Sequence, residues 1–163
     1  MLIANARRLT AALALVVVAA PLAHAQTATQ TVTFAVNAIN QIAFTGAPSL
    51  TITTAVAGSA PTSVTDATAA WAVTTNQTGA KITASIASNM PAGLTLSANL
   101  SAPAGAASAS YQSLSTVAAD VVTGITQLAQ GALGVSYKLD ATPAAGVVAS
   151  ATRVVTYTIT GGT

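Results

Sequence analysis

The chain has no Cys and no Glu, and its one His stands at position 24. Without Cys there is no disulfide, no thiol nucleophile, no thiolate metal site and no lipid anchor on an N-terminal Cys. Charged residues make up 5% of the sequence and aromatic residues 4%. Beyond position 25 the ionisable side chains reduce to Asp66, Asp120 and Asp140, Lys81, Lys138 and Arg153, and the phenols of Tyr111, Tyr137 and Tyr157. General acid–base catalysis needs a group that can titrate near neutrality, and the usual ones are missing. The Asp residues share no spacing and form no Asp-x-Asp pair, so they read as turn or strand-end residues. The same scarcity disfavours a calcium site. No Gly-rich loop joins a strand to a helix, which leaves nucleotide binding without support, and no local motif accompanies a Ser–Lys pair built on Lys81 or Lys138. The expectation is a protein that is not an enzyme, with no catalytic residues, no cofactor and no metal.

What is present begins with an export signal. Arg7 and Arg8 precede an uncharged apolar run, Ala11 to Ala20, then Pro21 and the small-x-small triplet Ala23-His24-Ala25. This reads as a signal peptide over residues 1–25, a signal helix cleaved after Ala25. The run falls short of the ~20 residues that a membrane-spanning helix needs, and no second one follows. The mature chain, residues 26–163, is expected to be secreted, at the cell surface or in the periplasm, with no transmembrane segment. Its 138 residues fit one domain. With Arg7 and Arg8 removed, the remaining cations balance the three Asp. The whole-chain pI near 9.4 therefore overstates the basic character, and no basic face exists to recognise nucleic acid or an anionic membrane.

The mature chain carries 25 Thr, repeatedly alternating with Val, Ile, Leu or an aromatic, the pattern of strands with one buried face. Residues 31–38 are apolar at every even position: Val32, Phe34, Val36 and Ala38. Alternation recurs at Ile42 and Phe44, Leu50 and Ile52, Trp71 and Val73, Ile82 to Ile86, Leu94 to Leu100, Val135 to Leu139, and Val155 to Ile159. Asn76-Gln77-Thr78-Gly79 reads as a hairpin turn, and Met90 to Gly93 as the next break. Longer connections are expected over 55–70, 101–110 and 141–152. Ser115 to Gly134 reads as a strand followed by a turn or one helical turn. The expected fold is all-β: one antiparallel immunoglobulin-like β-sandwich of about seven to nine strands. A transmembrane β-barrel is the alternative, and too few aromatics are present for its two girdles. Trp71 is expected as a core anchor. Asn76 and Asn99 head Asn-x-Thr/Ser triplets and read as turn or strand residues.

Soluble β proteins protect their edge strands with charge or Pro, whereas these strands carry Thr, Ser, Ala and Asn outward, which tolerates strand-to-strand assembly. An exported sandwich whose mature N-terminus, Gln26 to Ile39, is a long alternating strand resembles the subunits of bacterial fimbriae and related secreted coat proteins. The resemblance implies that an N-terminal strand completes a neighbour's sheet, with Val32, Phe34, Val36 and Ala38 as the donor-strand positions. The expected function is a structural, self-associating subunit of a cell-surface fibre or coat, its partner a second copy of itself. The alternative is a monomeric extracellular module that binds a surface protein or a glycan through Trp71 or a loop Tyr such as Tyr111.

Overall fold

A computed structural model describes residues 25–162. All but the last residue of the expected signal peptide, His24 included, lie outside the described residues. Two units divide after Ala35. In the first, residues 25–35 are exposed and belong to no helix, strand or turn. The second begins at Val36 and is built from two antiparallel sheets.

Among the described residues nine strands make up this unit: β1 (Asn40–Thr45), β2 (Val64–Thr75), β3 (Ala80–Ile86), β4 (Leu94–Leu100), β5 (Ala107–Ser108), β6 (Gln112–Ser113), β7 (Ala119–Ile125), β8 (Leu128–Ala141) and β9 (Val155–Thr160). The helical content among the described residues is a single 3-10 turn, Pro143–Ala145. One sheet has the order β1-β2-β8-β4-β6 and the other β5-β7-β3-β9. In sheet order β1, β2, β8 and β4 take the places of strands A, B, E and D of a constant-type immunoglobulin sandwich, and β3 and β9 those of C and F. β5, β6 and β7 are inserted between D and E. The constant-type G strand would lie beside β9, where no strand lies among the described residues.

Alternation sets which face is buried. In β3, Ala80, Ile82, Ala84 and Ile86 are buried while Lys81, Thr83 and Ser85 are not. Against them pack Trp71 and Val73 of β2, Leu96, Ala98 and Leu100 of β4, Val121, Val122 and Ile125 of β7, and Val135 of β8.

Several expectations change. Asn76–Gly79 is not a hairpin turn: β2 and β3 belong to different sheets, and the turn carries the chain across the ~10 Å between them. The connection expected over 55–70 is strand from Val64, because the long β8 supplies a partner as far as Val64↔Leu139. A register shift between Asp66 and Ala69 interrupts the alternation there and hides the strand from the sequence pattern. Within 115–134, β7 and β8 are separated only by Thr126 and Gln127, so the second half is strand and not a helical turn. The helix-like spacing of Val117, Val121, Ile125 and Leu128 spans different elements: Val117 is exposed ahead of β7, Leu128 opens β8, and a register shift separates Val122 from Ile125. Leu50 and Ile52 alternate but pair with nothing. The long N-terminal strand is likewise not formed: residues 26–39 belong to no strand. The β1–β2 ladder begins at Asn40↔Thr75, where β2 ends and turns toward the other sheet.

Candidate functional site

β1 and β9 are edge strands, one in each sheet, and their inward side chains meet. Phe44 of β1 stacks on Tyr157 of β9 with ring centroids 4.0 Å apart and an 11° interplanar angle, and on Trp71 of β2 at 6.0 Å. The Tyr157 and Tyr137 hydroxyls share a hydrogen bond of 2.8 Å. Trp71, Val73, Ile82, Ile86 and Val135 of the interior strands are buried, yet Ile42, Phe44, Val155, Tyr157 and Ile159 of the two edge strands are only half-buried. The sandwich is therefore open along the β1/β9 seam.

Behind this seam lies a cleft of about 700 Å³ walled by Ile42, Phe44, Leu96, Tyr137, Leu139, Val155 and Tyr157. A second, of about 560 Å³, reaches Ile52, Pro61, Pro91 and Leu94. The two share Leu50, Met90, Leu139 and Arg153. Leu50 is placed by Asp66, whose Oδ2 accepts the Ser49 N–H at 2.8 Å. The Thr68 hydroxyl first, then the Ser49 and Thr68 N–H groups, hold the Asp66 carboxyl below its ordinary pKa.

The apolar side chains share the cleft wall with hydroxyls of Ser49, Thr51, Ser150 and Thr152 and with Arg153. Arg153 donates from Nη1 to the Thr152 carbonyl at 2.9 Å and from Nη2 to the Asn89 carbonyl at 3.4 Å, and its buried Nε has no partner. Burial raises the Tyr157 and Tyr137 phenols above their ordinary values. For Tyr157 the Tyr137 hydroxyl adds to the rise, and for Tyr137 the bond to Tyr157 opposes it. Both remain neutral donors and acceptors at the cleft wall. The backbone along the seam is richer in unmet demand. Among the described residues β1 pairs only with β2 and β9 only with β3, so half the N–H and C=O groups of each face no described strand.

The donor-strand positions lie outside any ladder. Val32 is 73% exposed, Phe34 89% and Val36 80%; Ala38 is exposed too. Trp71 is 2% exposed, with its indole N–H donated to the Ser101 carbonyl at 3.2 Å, so it packs and offers no open face. Tyr111 is 40% exposed, but its hydroxyl bonds the Ser136 hydroxyl at 2.6 Å and the Lys138 ammonium sits 5.6 Å from its ring centre. The three Asp are spread over the surface. Asp120 pairs with Lys81 at 2.9 Å, and Asp140 with Lys138 at 3.0 Å and with the Ser63 hydroxyl. Among the described residues no group of three or more metal-ligating side chains occurs, and no helix is long and apolar enough to cross a membrane.

Sequence reasoning missed the seam itself, because Ile42, Phe44, Val155 and Tyr157 have the pattern of ordinary core strands. It also missed Asn76, whose amide serves the backbone of residues 37–39; position 76 looked only like a turn. Compared with protein families, curated proteins and solved structures, the chain matches none.

Proposed function

We propose that the mature chain is an exported, non-enzymatic structural subunit that self-associates by strand addition. Val32, Phe34, Val36 and Ala38 of one copy enter the β1/β9 seam of the next, and their backbone pairs with the free edge of β9. The observation that carries this reading is a complementarity within one sequence. A segment apolar at alternate positions has no strand partner and exposes those side chains, while no strand among the described residues takes the G position beside β9, next to a cleft whose wall includes Ile42, Phe44, Leu96 and Val155. Burying each Val or Phe contributes about 1.5–3 kcal/mol, and the added ladder satisfies edge groups that water now satisfies.

The binding-module reading is less well supported, since Trp71 is buried and the hydroxyl and ring of Tyr111 are already occupied. Electron microscopy of the purified mature protein is the direct test, with fibres or regular oligomers expected. Phe34→Asp should abolish them and leave the sandwich folded by circular dichroism. A wild-type protein that stays monomeric at high concentration removes the proposal.

A further inference from the structure

Resting on that reading is the question of why the N-terminal segment should enter a neighbour's seam when its own begins nearby in the chain. We propose that Asn76 decides this. Past Asn40↔Thr75 the β1–β2 ladder has no strand left to use, because β2 ends at Thr75. Asn76 extends it nonetheless. Its own N–H bonds the Ile39 carbonyl at 3.2 Å. Its side-chain Oδ1 then accepts the Ile39 N–H at 2.8 Å, and its Nδ2 donates to the Asn37 carbonyl at 2.8 Å.

A side-chain amide has the same acceptor and donor as a peptide group, and here it substitutes for the next peptide of β2. The surroundings hold it in place. Gln77 Nε2 donates to Asn76 Oδ1 at 2.9 Å, and the Thr75 hydroxyl, 4% exposed, donates to Asn40 Oδ1 at 2.7 Å while accepting the Gln77 N–H at 3.0 Å. Asp at position 76 lacks the donor, Ala lacks both groups, and Gln places its amide one methylene too far out.

The clip determines direction. With Asn37 and Ile39 bonded as continuations of the ladder, residues 37–39 run on from β1. Entering the seam of the same molecule requires a reversal before Asn40, and tight hairpin turns need residues at positive φ. Neither Gly nor Pro occurs from residue 26 to residue 45, and the first positive-φ residue described is Gly46. A reversal at Asn37 or Ile39 would have to break the clip. While it holds, self-completion is closed and the segment remains available to a second copy. Asn76 is thus a positioning residue for assembly, acting through the backbone it holds.

The experiment compares wild type, Asn76→Ala and Asn76→Asp as mature full-length chains, using sedimentation velocity for size and hydrogen exchange for residues 32–38 in the monomer fraction. Wild type should polymerise. Asn76→Ala should lower the apparent association constant roughly tenfold or more, the scale of losing net-favourable hydrogen bonds, and its monomers should protect residues 32–38 because the segment now folds into its own seam. Asn76→Asp, which keeps the acceptor, should fall between them, and it decides the matter if Asn76→Ala does not fold. If the variants polymerise as wild type does, or become monomers with 32–38 unprotected, Asn76 does not set the direction and the assembly reading stands. If wild type itself never associates, the assembly reading falls and this inference with it.

Discussion

Trp71 is the largest fully buried side chain, stacked on Phe44 and bonded to the Ser101 carbonyl, so it ties the seam to the interior. Trp71→Ala should cost about 3–5 kcal/mol in denaturant unfolding, much of a typical domain's total of about 5–15 kcal/mol; an unchanged midpoint would contradict its place in the core. The tyrosine pair yields a pH prediction. Tyr137 and Tyr157 have folded pKa values above their unfolded ones, so the stability they confer is complete below about pH 10, the unfolded value, and is lost as pH rises beyond it, when only the unfolded chain ionises readily. The melting temperature should hold up to about pH 9 and decline above about pH 10, less steeply in Tyr157→Phe. Phenolate absorbance from both residues while the native circular dichroism persists would refute the assignment. Trp71 was legible in the sequence because it is the lone Trp in an alternating run. The hydroxyl pair was not, since Tyr137 and Tyr157 lie twenty residues apart and nothing local links them.

Among the elements, β3 and β4 are read directly from alternation. β2 and β7 are harder because bulges at Asp66/Ala69 and near Gly124 reset the period. The N-terminal segment is the opposite case, with a strand's pattern and no strand. A strand needs a neighbouring backbone as well as a pattern, and β2 stops one residue before it could supply one. Deleting residues 26–39 should therefore leave a folded sandwich that binds a synthetic peptide of that sequence, detectable by calorimetry with a negative heat-capacity change. A peptide with Asp at the Phe34 position should not bind. If the truncated chain cannot fold, the segment belongs to its own sandwich.

For the whole molecule, electrical neutrality has a consequence for kinetics. Beyond position 25 the side chains carry three cations and three anions, and the described ion pairs, Lys81–Asp120 and Lys138–Asp140, neutralise four of them. On the proposed reading, assembly through apolar side chains and backbone hydrogen bonds lacks the steering field that makes association salt-sensitive. Light scattering should therefore show assembly rates at about 0.05 M and about 0.5 M NaCl that agree within roughly threefold. A steep fall with salt would point to a charged interface in place of the seam.

Period-two alternation, β-branched composition and the scarcity of charge determined by themselves that the chain forms a half-buried β fold with unguarded edges, since each property is local and needs no partner to be expressed. Which strands pair, and where pairing stops, was decided only in three dimensions. The Asn76 turn looks like a hairpin turn from its residues, yet it crosses between sheets because β2 finds better partners in β1 and β8. That no described strand lies beside β9 follows from that pairing, because an edge is a property of neighbours and no residue of β9 encodes it. Asn76 took its role the same way: its amide can mimic a peptide group anywhere, but only the end of β2 at Thr75 brings it within reach of Asn37 and Ile39.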